Sequence, residues 1–133
     1  MSDSHTPALP PAISGFLAAM DARDADAAAA FFTEDISYHL LMPHPPVVGR
    51  DAVVSALRTS IADADRASWD VVSWAVAGEL AFVERVDRFW FGEREAAIEC
   101  TGVFVLRDGL IAAVRDYADL GTWRERKAAA TAR

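Results

Sequence analysis

The stretch VERVDRFWF, residues 83–91, has the alternation of a β-strand although four of its nine residues are charged. Successive side chains of a strand point to opposite faces. One face therefore carries Val83, Arg85, Asp87, Phe89 and Phe91, and the other carries Glu84, Val86, Arg88 and Trp90. Charged residues are seldom fully buried, so the stretch by itself favours a solvent-exposed Arg85–Asp87 pair. The alternative is an ion pair inside a core, which needs further hydrogen bonds to offset desolvation.

Period-two alternation continues on both sides of this stretch and predicts a sheet in the second half of the chain. The candidate strands are 68–77, 80–91, 94–106 and 110–117. The clearest turn is Arg107-Asp108-Gly109, an Asp-Gly hairpin signal between the last two strands.

The first half of the chain has helical periodicity instead. A first helix is predicted over residues 11–21, where Ile13, Phe16, Leu17 and Met20 form one apolar stripe. A second, short helix through AAAAFF, capped by Asp24 or Asp26, is predicted to end near residues 33–35.

A short strand and a third helix complete the first half. The strand is predicted over residues 36–40. The MPHPP segment that follows it is predicted to be a loop, because its prolines cannot donate the backbone hydrogen bonds of a helix or a strand ladder. The third helix is predicted to start with Asp51 as its cap. The C-terminal GTWRERKAAATAR is helix-prone, and we expect it to be partly frayed.

These elements predict the α+β class, with helices packed on one face of a curved, mainly antiparallel sheet. Such a cone-shaped roll has one open mouth. We expect a flexible leader over residues 1–9 and a single domain over residues 10–133, because 133 residues suit one hydrophobic core.

Composition excludes several classes of function. The net charge of −7 argues against a nucleic-acid partner or an anionic membrane surface, since both require clustered positive charge.

No segment approaches the roughly 20 apolar residues of a membrane span. The single Cys100 cannot form an intramolecular disulfide, and the N-terminus shows neither a basic leader nor an apolar run. We therefore expect a cytoplasmic protein, with Cys100 acting as a small buried hydrophobe.

The last strand carries a second aspartate on a mostly apolar face. Asp116 ends a row formed by Leu110, Ala112 and Val114. If Asp116 meets Arg85 and Asp87 in a pocket, the cluster has a net charge of −1, and one added proton makes it neutral. Half-protonation near pH 7 requires a pKa shift of about 3 units, which burial and a like charge can supply.

An acid beside a base in an apolar cavity suits two kinds of chemistry. Water can attack a strained ether while one carboxyl group protonates the leaving oxygen and the other takes a proton from the water. Proton transfer next to a carbonyl is equally suited. The spacing also leaves open a structural role, in which Arg85 only bridges Asp87 and Asp116.

The sequence resembles the limonene-1,2-epoxide hydrolase family, within the NTF2-like and SnoaL-like cone folds. The resemblance lies in Tyr38 followed by MPHPPVVGRDAV, in the ERVD of residues 84–87, and in GVFVLRDGLIAAVRDYADL over residues 102–120. It implies a cofactor-independent and metal-independent epoxide hydrolase acting on a small apolar epoxide.

The resemblance also implies roles for individual residues. Asp87 would protonate the epoxide oxygen, Asp116 would activate water, Arg85 would bridge the two carboxylates, and Tyr38 would help to hold the water. In the family an asparagine two residues after the tyrosine positions the water, but here that position is Leu40. A SnoaL-like cyclase or isomerase that uses the same aspartates on a polyketide-like or terpenoid substrate is therefore the alternative.

The sequence also predicts roles for residues outside the cluster of Arg85, Asp87 and Asp116. The predicted substrate-binding residues are Leu40, Trp74, Phe89 and Phe104. Further candidates for the pocket wall are Trp69, Trp90 and Phe91, although aromatic residues in strands often belong to a core or an interface. His39 and His44 lack a carboxylate at ligand spacing, so we expect a loop role rather than metal binding. The uncovered sheet face, with Trp90, predicts a homodimer.

Overall fold

The computed structural model describes residues 8–132, so residues 1–7 of the predicted leader lie outside the described part of the chain. The helices are α1 (Pro11–Asp21), α2 (Ala25–Ala28), α3 (Arg50–Ile61) and α4 (Leu120–Thr131). The strands are β1 (Phe32–His39), β2 (Val47–Val48), β3 (Arg66–Ala77), β4 (Leu80–Phe91), β5 (Arg94–Arg107) and β6 (Leu110–Tyr117).

The strands form one sheet in the order β2-β1-β6-β5-β4-β3. Neighbouring strands are antiparallel except for β1 and β6, which are parallel. The sheet is curved and the helices pack on it, which confirms the predicted α+β architecture with a mainly antiparallel sheet. The parallel pair brings β1, from the first half of the chain, next to the last strand.

Helix α1 contributes the residues at the centre of the hydrophobic core. Its first residue, Pro11, suits a position where the backbone N–H has no helical partner, and its predicted apolar stripe is buried. The ring of Phe16 is fully buried and lies 5.5–6.1 Å from the rings of Phe32, Tyr38, Trp69 and Phe104. The helix therefore fastens β1, β3 and β5 to a common core.

Two predicted boundaries in the first half were wrong. The second helix ends at Ala28, and a 3-10 turn over Ala29–Phe31 leads into β1 at Phe32. The strand starts early because Phe32 and Ile36 are both fully buried, and this burial outweighs helix propensity. Helix α3 is preceded by Gly49 with φ of 97°, and its first residue is Arg50, so Asp51 is not the cap.

The second half follows the predicted meander closely. Asp108 and Gly109 both have positive φ, 54° and 80°, as the predicted two-residue hairpin turn requires. Strand β6 pairs with β5 only from Thr101 onward, which leaves the first half of β5 with a free edge.

Helix α4 covers that edge. Arg126 donates to the carbonyl oxygen of Ala97 at 2.9 Å, and Arg94 donates to the carbonyl of Ala132 at 2.8 Å. The expectation of a frayed tail was wrong because these contacts fasten both the middle and the end of the helix.

The opposite face of the sheet is more exposed. Phe82 is 41% exposed there, Arg88 bridges Asp70 and Glu95, and the guanidinium of Arg66 lies 4.5 Å from the centre of the Trp90 ring. The homodimer through this face stays a prediction.

Candidate active site

Three charged side chains meet inside the cone. Arg85 and Asp87 lie on β4, and Asp116 lies near the end of β6, with β5 between them. Arg85 donates from Nε to Asp87 Oδ1 at 2.6 Å and from Nη2 to Asp87 Oδ2 at 3.1 Å. It also donates from Nη1 to Asp116 Oδ1 at 3.2 Å and from Nη2 to Asp116 Oδ2 at 3.0 Å. One guanidinium therefore holds both carboxylates by two-pronged hydrogen bonds, as predicted.

The cluster is buried, which contradicts the solvent-exposed pair that the strand by itself favoured. Arg85 is 1% exposed, Asp87 5% and Asp116 4%. Two carboxylates and four charge-assisted hydrogen bonds replace the hydration that the guanidinium gives up. Its carbon also lies 4.9 Å from the centre of the Trp69 ring, a cation–π contact. Burial lowers the pKa of Arg85, but the charges of Asp116 and Asp87 raise it further, so the arginine stays charged.

Tyr38 completes the cluster from β1. Its hydroxyl donates to Asp116 Oδ2 at 2.9 Å, and the pairing of β1 with β6 sets Tyr38 against Val114, two residues before Asp116. Burial, together with the charge of Asp116, raises the pKa of the tyrosine hydroxyl well above its usual value. Tyr38 is therefore a neutral hydrogen-bond donor at neutral pH.

The two carboxylates have different environments. Asp116 accepts hydrogen bonds from both Arg85 and Tyr38, whereas the side-chain bonds of Asp87 come from Arg85. Burial raises the pKa of the Asp87 carboxyl to about 6, while Arg85 acts against this shift and the charge of Asp116 adds to it. Asp87 can therefore carry a proton close to neutral pH.

An apolar cavity of about 240 Å³ opens onto the two aspartates. Its lining contains Leu40, Leu41, Ser60, Trp69, Asp87, Phe89, Ile98, Cys100, Asp116, Ala118, Asp119, Leu120 and Trp123. Burial raises the pKa of the Cys100 thiol well above its usual value, consistent with the predicted small hydrophobe. Two carboxyl groups thus open onto an apolar wall, an arrangement typical of a small-molecule site.

The predicted substrate-binding residues divide into two groups. Leu40 and Phe89 line the cavity, but Trp74 and Phe104 are not part of that lining. Phe104 is fully buried in the core against Phe16. Trp74 lies beyond an irregularity in β3, opposite Val83, and is 39% exposed. Placing these two residues in the pocket was therefore wrong.

Several lining residues were missed. Ile98 and Cys100 stand opposite Asp87 and Arg85 in the β4–β5 ladder, so counting the register from the turn at Gly92 would have identified them. Trp123 lies 5.2 Å, between ring centres, from Phe89. Helix α4 has little amphipathic periodicity, so the sequence carried no comparable signal for Trp123.

His39 is the last residue of β1, and His44 lies in the loop that follows. Nδ1 of His39 lies 3.0 Å from the carbonyl oxygen of His44, and Nδ1 of His44 lies 3.2 Å from the carbonyl oxygen of Leu41. Within residues 8–132, His, Cys, Asp and Glu side chains form no group of three able to hold a metal ion. In the same part of the chain, none of the helices has the length and apolar character needed to cross a membrane.

A curved six-stranded sheet with helices over a buried polar cluster defines the NTF2-like, ketosteroid isomerase-like class of folds. The sequence model of the SnoaL-like domain matches residues 13–114. The chain therefore belongs to the SnoaL-like domain family.

Solved structures support the same fold. An LEH-like epoxide hydrolase of M. tuberculosis is 23% identical, with a TM-score of 0.74 over 91% of this chain and 90% of that one. A candidate polyketide cyclase of Xanthomonas campestris is 24% identical, with a TM-score of 0.75 over 86% and 93%. A protein of Catenulispora acidiphila with a ketosteroid isomerase-like fold is 16% identical, with a TM-score of 0.79 over 90% and 93%. At these identities the likeness shows the fold alone.

Proposed function

We propose that the chain is a cofactor-independent epoxide hydrolase of the limonene-1,2-epoxide hydrolase type, acting on a small apolar epoxide. The observation that carries the proposal is the guanidinium of Arg85, which hydrogen-bonds to both Asp87 and Asp116 at an apolar cavity. A purely structural bridge would not need to expose both carboxylates to a cavity.

The roles of the two aspartates follow from their surroundings. Asp87, whose pKa is about 6, has the proton affinity of an acid that works near neutral pH. Asp116, held by both Arg85 and Tyr38, is the candidate base. These hydrogen bonds hold the Asp116 carboxylate in place at the cavity, where it can take a proton from a bound water.

The reaction proceeds in one step. Asp116 takes a proton from water, the water oxygen forms a bond to an epoxide carbon, the bond from that carbon to the ring oxygen breaks, and Asp87 delivers its proton to that oxygen. The product is a vicinal diol. Asp116 gains one proton and Asp87 loses one, so the cluster of two carboxyl groups, one guanidinium and one proton is neutral before and after the step. One proton transfer from Asp116 to Asp87 restores the starting state.

A second candidate is a cyclase or isomerase that uses the same aspartates on a polyketide-like or terpenoid substrate. The observation that favours it is Leu40, an apolar side chain in the cavity wall where the resembled family has an amide. A less firmly held water favours attack by a group of the substrate itself, or proton transfer beside a carbonyl.

The experiment that separates these candidates is incubation with a panel of epoxides in oxygen-18 water. A diol that carries one label from the solvent identifies intermolecular attack by water. An unlabelled cyclic ether, or a carbonyl isomer of the epoxide formed in place of a diol, identifies the second candidate. Absence of turnover across epoxides small enough for the cavity would contradict the hydrolase.

The proposal also covers the partners, the oligomeric state and the location of the protein. A net charge of −7 disfavours nucleic acid and anionic membrane as partners. A homodimer through the exposed sheet face and a cytoplasmic location are parts of the proposal as well.

A further inference from the structure

Trp69 carries a polar group without a partner. Its indole lies in the wall of the cavity and is 7% exposed. The Nε1–H of this indole has no hydrogen-bond acceptor among residues 8–132. A buried donor without an acceptor loses its hydration and gains no bond in return, so such groups are rare in folded proteins.

The side chains that pack on the indole ring offer no hydrogen-bond acceptor. The guanidinium of Arg85 faces the ring, and Phe16 and Phe89 meet it edge-on, with ring centres 6.0 and 6.2 Å away. Guanidinium groups only donate, and phenyl rings have no polar atom. The cavity borders the same indole, so an acceptor can be supplied by a molecule bound there.

The position of Trp69 indicates which atom of that molecule is involved. Trp69 stands directly opposite Asp87 in the β3–β4 ladder, so the two side chains project from the same face of the sheet. Both line the cavity. A ligand oxygen placed at the carboxyl group of Asp87 therefore lies on the side of the sheet that carries the indole.

We propose that Trp69 is a second hydrogen-bond donor to the substrate oxygen that Asp87 protonates. The inference rests on the proposed function and adds a residue to it. As the carbon–oxygen bond of the epoxide breaks, negative charge develops on that oxygen, and a fixed donor lowers the barrier. In a cyclase or isomerase the same donor would serve a carbonyl oxygen.

Binding of a matched pair of unreactive ligands tests the donor without turnover. Cyclohexanone and methylenecyclohexane have nearly the same shape, but only the ketone has an acceptor. In ¹H–¹⁵N spectra of the wild-type protein, we expect cyclohexanone to move the Trp69 indole N–H signal downfield and methylenecyclohexane to leave it nearly unchanged. Absence of a ketone-specific shift at Trp69 overturns the inference.

Kinetics of Trp69→Phe give a second, independent test. The substitution keeps an aromatic ring on Arg85 but removes the N–H, so we expect kcat on the best epoxide to fall at least tenfold. Trp90→Phe is the matched control, because Trp90, which the sequence also offered as a pocket-wall residue, lies against Arg66 on the opposite sheet face and outside the cavity lining. This variant should keep wild-type kcat. An unchanged kcat for Trp69→Phe overturns the inference.

The two tests separate the inference from the proposed function. A ketone-specific shift in a protein that turns over none of the epoxides removes the hydrolase and keeps the donor. Epoxide turnover with no shift and no kinetic effect removes the donor and keeps the hydrolase. If Trp69→Phe does not fold, the wild-type spectra decide, because their indole signals can be assigned without this variant.

Discussion

Gly102 lies directly beneath the guanidinium of Arg85, where a Cβ atom would stand 2.7 Å from Nη1 and 2.8 Å from Asp116 Oδ1. Arg85 on β4 reaches Asp116 on β6 only by crossing β5, and Gly102 is the β5 residue paired with Asp116. The absence of a side chain at this position therefore allows the bridge to form.

Gly102→Ala tests this relationship. The added methyl group would displace the guanidinium from Asp116, so we expect turnover of the best epoxide to fall by about 10²-fold or more, as expected for lost acid–base geometry. Gly109→Ala is the control, because its Cβ meets nothing within 4 Å and it lies in the hairpin turn. That variant should lose stability through its positive φ but keep its turnover in the folded fraction. Wild-type turnover in Gly102→Ala would show that the bridge is not needed.

Arg85→Ala is expected to reduce both stability and turnover. It leaves two buried carboxylates without their shared donor, and breaking a buried ion pair costs about 3–5 kcal/mol of unfolding free energy. Denaturant unfolding and turnover of the same preparations measure both effects. Arg88→Ala on the same strand removes an exposed arginine and should change stability by about 1 kcal/mol or less. Equal stability losses in the two variants would contradict the account of the buried cluster.

The pKa of Asp87 predicts a direction for the pH dependence. The protonated form of Asp87 is the active acid, and the fraction in this form falls as pH rises through about 6. We therefore expect kcat/KM of the wild-type protein to fall by about tenfold per pH unit above this value. Initial rates from pH 5 to 8 at constant ionic strength measure it. A rate that rises across this range would exclude Asp87 as the acid.

Leu40→Asn tests the position where this chain departs from the family it resembles. An amide in the cavity wall can hold the attacking water, and one hydrogen bond of ~1 kcal/mol corresponds to about a fivefold gain in labelled diol. Val48→Asn, which adds an amide at an exposed position outside the cavity lining, is the control and should give no gain. A loss of diol formation in Leu40→Asn would show that the apolar side chain itself serves the reaction.

A period of two was sufficient to place Arg85 and Asp87 on one face of a strand, and the resemblance to the limonene-1,2-epoxide hydrolase family, not the spacing, predicted that Asp116 meets them. The strand pattern was not sufficient to predict their burial. The burial of Arg85 depends on partners that lie far along the chain, Trp69 on β3 and Asp116 on β6, and a single strand contains no record of them.

The role of α4 could not be predicted for a related reason. The position of this helix is set by the unpaired edge of β5, to which Arg126 donates a hydrogen bond, rather than by an apolar stripe of its own. Trp123 therefore reached the cavity wall without a sequence signal. Trp74 was placed wrongly for a different reason. The irregularity between Val71 and Ser73 sets it opposite Val83, on the sheet face that carries Asp87, but Val83 lies four residues from Asp87 along β4 and Trp74 is outside the cavity lining.

The central claim is that Asp87 and Asp116 act as acid and base, and turnover of the best epoxide by Asp87→Asn and Asp116→Asn at neutral pH tests it most directly. Each asparagine keeps the shape of the side chain but cannot transfer a proton, so we expect turnover to fall by ~10²-fold or more with the fold retained in thermal melting. Asp70→Asn, at an exposed partner of Arg88, is the control and should keep wild-type turnover. Near wild-type turnover in both Asp87→Asn and Asp116→Asn would contradict the account and leave the cluster with a structural role.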